Sequence, residues 1–590
     1  MNTIFRTTLA VSLVLSSGAA FAQSIPFLDQ TSLLPTTTYH SGNAIGVCDM
    51  NGDKKDDIVR SDNTTMSVCT WQASGNFLEN TYAYNLNGPW GMCVGDVNND
   101  GFNDVHWGNY GSALLMTWNG SGYTGSNVTA LTSAGFIFVQ GCNFQDIDND
   151  GNLDMLICAD TDMPHIYVGD GANNWTFNQS LIPMATVPAS DNSGNYASIW
   201  SDVNNDGYMD MMITHCRQGV TNSSDPRRID QVFINNGDYT YTQDVTNWTG
   251  LRDGAQGWST TFGDIDNDGD MDAFVLNYDV NSKLLINNGS GVFTNAISGS
   301  GISNTTSFFG MNATFQDFDN DTYLDLLLTG DNHYLYKGNG NGTFSLVSPN
   351  PFPYSANTVT SHATGDLNGD GFLDVYGSYC DVYNSPSARN DHLWMNACPQ
   401  NGNTNHYIFF DLVGGATPGY SNRNGIGAIV KIYGPWGVQV REVRSGEAYG
   451  IQNSFAVHFG LGANTAIDSV IVQWPSGIVD EMTTIPGDAH YVIPEGGHPT
   501  ATGNINKHPF HMTMGPNPMS EQVTINLFNT ELYADLNMQI IDVTGKVVYS
   551  QAKLSSNVVT VDKSVLAAGV YVVQVNNGRQ LLDSQKLMVR

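Results

Sequence analysis

Asp96, Asn98, Asp100 and Asp104 stand at positions 1, 3, 5 and 9 of a nine-residue stretch, with Gly101 at position 6. The spacing returns as Asp146, Asp148, Asp150 and Asp154, and as Asp202, Asn204, Asp206 and Asp210. It returns again as Asp264, Asp266, Asp268 and Asp272, as Asp317, Asp319, Asp321 and Asp325, and as Asp366, Asn368, Asp370 and Asp374. A looser first copy holds Asp49, Asn51, Asp53 and Asp57. Side-chain oxygens at alternate positions of a tightly curled loop converge on one point. That suits a hard divalent cation, since calcium takes roughly 6–8 oxygen ligands at about 2.3–2.6 Å. Position 7 can add a carbonyl oxygen, from Phe102, Asn152, Tyr208, Asp270, Tyr323 or Phe372. Glycine at position 6 permits the positive φ of the curl. Lys54 and Thr322 replace it in loops 1 and 6, the two weakest sites. Positions 1, 3, 5 and 9 of the seven loops hold 24 of the 56 acidic residues, a concentration that would repel itself strongly without a counter-charge. Up to seven Ca²⁺ ions are therefore expected, in a structural role, because full protein coordination leaves no position open for a substrate.

Two other uses of such a loop must be weighed. An EF-hand needs an acidic residue at position 12 and flanking helices. Position 12 here is Arg60, Trp107, Ile157, Ile213, Val275, Leu328 and Gly377, and apolar β-type runs follow the loops. An Asn/Asp/Gly turn without metal is common singly, but seven copies in one register argue against it. The loops start at intervals of 47, 50, 56, 62, 53 and 49 residues. Asn119-Gly120, Asn236-Gly237, Asn288-Gly289 and Asn341-Gly342 supply hairpin turns between apolar runs. About four strands per repeat of roughly 50 residues, seven times over, predict a seven-bladed β-propeller over residues 23–400. An open solenoid is the alternative.

The loop motif and its repeat resemble the FG-GAP/VCBS family of calcium-loop propellers, over roughly residues 30–400. After Cys398 the loops stop. Residues Ser421-Asn422-Arg423-Asn424-Gly425-Ile426-Gly427, Arg441-Glu442, Arg444, His458-Phe459-Gly460-Leu461-Gly462 and Trp474-Pro475-Ser476-Gly477 closely resemble the ASPIC/UnbV module, as it follows such repeats in cartilage acidic protein 1 relatives. Strand-like alternation predicts a small β-sandwich over 406–494. Arg423, Arg441 and Arg444 could form an anion site or pair with Glu442, Glu447 or Asp468. Residues 495–512 are turn-rich and linker-like. Residues 513–590 carry Pro516-Asn517-Pro518, Gly569-Val570-Tyr571 and a Lys586-to-Arg590 end. They resemble the C-terminal sorting domain of the type IX (Por) secretion system, which implies a β-sandwich, contact with that machinery, and delivery to the outer surface of a Bacteroidetes-type bacterium.

The remaining features bound the function. Residues 1–22 read as a signal peptide, with Arg6, the Leu9–Leu15 apolar run and an Ala20-Phe21-Ala22 cleavage site. No later run reaches the roughly 20 apolar residues a membrane span needs. A net charge of −34 argues against nucleic acid as a partner. Among the eight cysteines, Cys142–Cys158 and Cys380–Cys398 are close enough to pair, and buried free thiols are equally open. No catalytic motif is present, so the chain is expected not to be an enzyme. The loops opposite the aspartates are mostly short, but His215–Gln231 and Ser378–His392 are long. Arg217, Arg227 and Arg228, with Trp107, Tyr110, Tyr278 and Tyr379, suit a polysaccharide, an acidic one above all. Locally paired arginines on a solvated loop are the plainer reading. The expected function is adhesion or glycan binding at the surface, by contact with a polysaccharide or a surface protein. A polysaccharide-active enzyme and a structural surface-layer component are the alternatives.

Overall fold

The computed structural model describes residues 25–590 apart from short stretches, the longest being 129–134, 185–192, 304–309, 353–358, 503–510 and 529–535. The signal-peptide residues 1–22 and part of the 495–512 linker lie outside the described residues. The chain is almost wholly β-structure.

The acidic loops fall at one place in each repeat. They join the first strand of a sheet to the second. The first strands are Ile45–Cys48, Gly91–Gly95, Val139–Gln145, Asn195–Ser201, Gly257–Gly263, Gly310–Gln316 and Ser361–Gly365. Each second strand opens on the position-9 aspartate, from Asp57–Asp62 through Asp374–Ser378. That aspartate lies across from the last residue of the first strand, as in Gly95↔Asp104 and Gly365↔Asp374. Seven antiparallel sheets of four strands each result, one of them joined by a fifth strand from farther along the chain. Their first strands contact one another in order, and Ser361–Gly365 returns to Ile45–Cys48, so the ring is closed. The seventh sheet takes its outer strand from the other end of the chain: Phe27–Asp29 pairs with His392–Asn396. This is the architecture of a β-propeller, built from two-sided strands that bury apolar residues against both neighbouring blades. Between blades 5 and 6, for example, Phe274, Leu276 and Leu284 pack with Phe315, Leu326, Leu328 and Tyr336.

Residues 406–502 form two further four-stranded sheets, and residues 511–589 a three-stranded and a four-stranded sheet with their own apolar core. The middle module does not stand apart. Its Ile426, Ala428 and Trp474 share a core with Phe144 and Ile157 of blade 3. Its 441–456 segment enters the propeller's channel. Arg444 donates to the carbonyls of Trp200 and Phe262 at 3.1 and 3.0 Å. Asn143 donates to the carbonyls of Ser445 and Gly446, and Asn312 accepts from the Tyr449 amide at 2.8 Å. Asn453 accepts from the Thr364 amide, Gln452 from that of Val94, and Ile451–Gln452 pairs in parallel with Ile45 and Gly46. All seven blades thus contact this one segment. Its glycines explain the closeness of fit. A Cβ on Gly450, at φ +75°, would fall 2.2 Å from the Trp90 carbonyl oxygen, and one on Gly446 2.1 Å from that of Cys142.

Candidate metal centres and the open face

In each loop the aspartates are fixed by the backbone before any ion is considered. In blade 2, Asp96 Oδ1 accepts from the Asp100 amide at 3.0 Å and Oδ2 from the Gly101 amide at 2.8 Å. Asp104 Oδ2 accepts from the Val97 amide at 3.2 Å, and Oδ1 from Trp118 on the third strand at 2.9 Å. Blades 3, 4 and 7 repeat these four bonds, with Asp146 and Asp154, Asp202 and Asp210, and Asp366 and Asp374. The curl needs two left-handed residues. Position 6 has φ from 65° at Lys54 to 97° at Gly269, and position 4 has φ near 58° at Asn99, Asn149 and Asn205. The position-4 requirement explains why that residue is always Asn or Gly, types that tolerate this region, a regularity that sequence reasoning had passed over.

The donor set fits a hard cation. Ligand oxygens of Asp146, Asp148 and Asp154 lie within 4.8 Å of one another, as do those of Asp264, Asp266 and Asp268, and of Asp317, Asp319 and Asp325. In loop 5, buried Asp264 Oδ2, Asp266 Oδ1 and Asp270 Oδ1 have no hydrogen-bond partner. Burial first, and the neighbouring carboxylates second, push Asp146 up to about 8; burial pushes Asp264 up to about 7, against the pull of Arg441 and with the help of Asp268 and Asp266. Asn51, Asp53, Asn98, Asp148, Asp150, Asn204, Asp206, Asp268, Asn368 and Asp370 stand at the mouths of their loops, more exposed than the buried aspartates at position 9. At position 7, Asn152 accepts from Asn99 of the neighbouring loop at 3.3 Å, and Tyr208 meets Tyr239 edge-on at 5.7 Å.

Loops 1 and 6 depart from the others. Lys54 stands 3.9 Å from Asp49. In loop 6, Lys337 reaches Asp319 and, at 2.5 Å, Asp321. Thr322 takes φ 88°, a strained value for a β-branched residue.

The module covers this whole face. Asn424 accepts from the Asp96 amide at 2.8 Å, and Glu442 from the Asp202 amide at 2.8 Å. Gly462 donates to the Asn320 carbonyl at 2.8 Å. Arg444 is paired with Glu442, which favours pairing over an anion site for that arginine.

The opposite ends of the strands are open, and three of the residues expected to face a ligand there do not. Trp107 is fully buried, its ring 4.9 Å from Tyr84, because its position in the Asp104–Asn109 strand points between blades. Tyr379 is buried too, beside His392. Arg228 is buried against Asp279. Arg227 folds back on Asp225, whose carboxylate caps the short Pro226–Arg228 helix. Arg217 is half-buried, its amide bonded to Gln256. Tyr110 and Tyr278, by contrast, are 68 % and 46 % exposed. They are the ends of a row that sequence reasoning missed. Tyr110 meets Phe136 at 5.0 Å and Phe138 at 5.1 Å; Phe138 meets Trp90 at 5.8 Å; Trp90 meets Tyr449 of the inserted segment at 6.3 Å. Tyr449 meets Trp258 at 5.5 Å, and Trp258 meets Tyr278 at 6.3 Å. No local spacing marks such a row, since it crosses several blades and the module.

All eight cysteines are free thiols, including Cys142, Cys158, Cys380 and Cys398. Cys93, His106 and Cys142 bring their ligand atoms within 4.8 Å in the interior between blades 2 and 3. No described helix is long and apolar enough to cross a membrane.

Comparison with known proteins agrees with this division of the chain. The FG-GAP-like repeat model matches 49–107, 96–157, 146–213, 202–275, 266–328 and 317–377, together more than half of the chain. The ASPIC and UnbV model matches residues 418–500, and the secretion system C-terminal sorting domain model residues 513–590. No curated protein matches the chain. Similar solved structures include a lectin of Agrocybe aegerita described as recognising non-reducing terminal N-acetylglucosamine (16 % identity, 52 % of this chain and 81 % of that one, TM-score 0.39). They also include a rhamnogalacturonan lyase of Bacillus licheniformis (10 % identity, 63 % and 75 %, TM-score 0.34) and BBS1N in complex with ARL6DN (11 % identity, 63 % and 98 %, TM-score 0.41). The sorting domain marks the chain for the type IX secretion system and the cell surface of a Bacteroidetes-type bacterium. The chain belongs to the FG-GAP-like repeat family, with an ASPIC and UnbV domain seated on its acidic loops and a type IX sorting domain at its end.

Proposed function

We propose that this is a surface adhesion protein that binds carbohydrate without transforming it, through the open face of a propeller stapled by structural calcium. One observation carries the reading: the exposed rings Tyr110 and Phe136 at one end of the aromatic row and Tyr278 at the other, held in place by the buried Tyr449 and Trp258 between them. Flat aromatic faces with polar tips suit the apolar faces of sugar rings. The acidic loops on the other face, covered by the module, are left with a structural task. Calcium there offsets carboxylate repulsion where loop 5 keeps buried oxygens unpartnered. Arginine plays a smaller part than its number promised, since Arg227 and Arg228 are held by Asp225 and Asp279.

The test is a panel of neutral and acidic polysaccharides, assayed for binding and for cleavage. Saturable binding that is lost in the Tyr110→Ala/Phe136→Ala double variant supports the reading. Cleavage of any bound polysaccharide would overturn it in favour of an enzyme, and absence of binding across the panel would remove carbohydrate as the ligand.

A further inference from the structure

Loop 6 has its aspartates in the same register as loop 5, yet its surroundings differ by one side chain. Lys337 is the penultimate residue of the Tyr334–Gly338 strand, and its side chain is only 4 % exposed. Its ammonium meets Asp319 and Asp321, the position-3 and position-5 ligands of its own loop. The other blades supply an internal control. The position-9 aspartate accepts an amide from the third strand at Trp118, Gly169, Asn235, Asn287, Gly338 and Asn396. The residue just before that amide is Thr117, Val168, Ile234, Ile286, Lys337 and Met395 in turn. Five of these are uncharged. Among these six blades only blade 6 places a cation there, and it is also the one of the six that lacks the position-6 glycine.

We propose that blade 6 carries its own cation: the Lys337 ammonium takes the place that calcium takes in the other loops, so that the chain binds at most six calcium ions. Lys337 holds Oδ2 of both Asp319 and Asp321, and the Tyr323 amide holds Asp321 Oδ1, so of their four oxygens only Asp319 Oδ1 is without a hydrogen-bond partner, and a Ca²⁺ ion there would stand beside the ammonium against strong repulsion. With Asp317, Asp319, Asp321 and Asp325 all charged, the lysine leaves the loop at −3 and lysine plus Ca²⁺ would leave it at −1, so net charge alone does not exclude the ion; what excludes it is the ammonium seated among its ligand oxygens. The inference rests on the calcium reading of the other loops.

The experiment counts calcium per folded chain, by native mass spectrometry and by metal analysis after dialysis against calcium. The full chain should hold no more than six ions, and Lys337→Met, which installs the blade 7 residue, should hold one more than the parent. Should that variant not fold, the carboxylates give a second reading. Asp319→Asn/Asp321→Asn should leave the parent count unchanged, while Asp266→Asn/Asp268→Asn in blade 5 should lower it by one. A parent count of seven, a folded Lys337→Met with the parent's count, or loss of an ion in the blade 6 double variant would overturn the proposal. No calcium on the parent would instead overturn the calcium reading of every loop, and this inference with it.

Discussion

On one face of the ring each blade presents a buried carboxylate cluster, and the module lies over all of them. On the other face Tyr110, Phe136 and Tyr278 stand in solvent, within a row of ring contacts that runs through the tip of the inserted segment. The two ends of the same strands have thus been given opposite chemistries. The first stores electrostatic repulsion that something positive must relieve. The second exposes apolar area that a folded protein would otherwise bury, and exposed aromatic patches mark interaction surfaces. On the proposed reading, stability and recognition are separated here by the length of a strand, so each can be perturbed alone.

The largest expected effect comes from stripping cations off the loop face. An ion that binds only the folded state stabilises by about 2.7 kcal/mol when present at about 100 times its Kd, and independent sites add. EDTA should therefore lower the melting temperature of the propeller by well over ten degrees, while the C-terminal sandwich, with its own core, melts as before. Calorimetry on the full chain resolves the two. An unchanged propeller transition would break the assignment of the loops to metal.

The next effect tests the inserted segment. Gly450→Ala puts a Cβ on a residue at φ +75°, 2.2 Å from the Trp90 carbonyl oxygen, and neither is a flexible side-chain end. Backbone must move, at a cost of about 1–3 kcal/mol by comparison with other overpacked cores. The expected outcome is a lower melting temperature for ring and module together, with protease cleavage appearing near residues 441–456. A Gly477→Ala control meets nothing within 4 Å and should cost far less, although its φ of +86° carries some strain. Equal effects of the two would mean that the channel segment contributes little.

How much of this was legible beforehand follows from which interactions are local. The loops were readable because their ligands lie within nine residues, and the Gly or Asn at positions 4 and 6 follows from φ alone. The sheet order was readable for the same reason, except in blade 7, where Phe27–Asp29 arrives from the other end of the chain. What could not be read depends on contacts between distant segments. Trp107 and Tyr379 were placed on the open face from their position after the loop, but whether a side chain there points outward or between blades is decided by the neighbouring blade. The docking of the module on the loops involves pairs separated by 240 residues and more, such as Asp202 and Glu442, and no spacing within either segment announces it. Lys337 belongs to this class: it is twelve residues past its own loop and looks like any strand lysine until the fold brings it back.

Acid probes the ring that both faces share. Burial lowers His215 to about 4 and His362 to about 3, and the His362 ring nitrogens face Thr329 and Thr314 rather than any carboxylate. Near His215 lie Asp230, which accepts its amide, and Arg252. Both lie below the ordinary imidazole value of about 6.5, so between that value and its own folded-state value each histidine binds more protons in the unfolded chain. Their contribution is complete above that value and is lost as pH falls through the interval, by about 1.4 kcal/mol per pH unit for each histidine. Melting curves at constant calcium should fall between pH 6.5 and 5, and His362→Gln should flatten part of the slope.

The smallest effect on stability carries the most information about recognition. Tyr110 is more than two-thirds exposed and contacts only Phe136 and Phe138 among the described rings, so Tyr110→Ala should change the folding free energy by no more than about 0.5 kcal/mol, the range of ordinary surface substitutions. If the row is a binding platform, the same change removes a stacking surface at its end. Binding to whichever polysaccharide the panel selects should then weaken about tenfold, corresponding to roughly 1.4 kcal/mol. Tyr278→Ala, at the far end beside Trp258, should weaken it by a similar factor if one ligand spans the channel mouth, and not at all if the site is confined to blades 2 and 3. Trp107→Phe is the matched control: the ring is buried, so it should shift the melting temperature and leave binding by the folded fraction unaltered. A binding loss in that control equal to the loss at Tyr110 would mean that the open face is not where recognition occurs, and the separation of the two faces would fail.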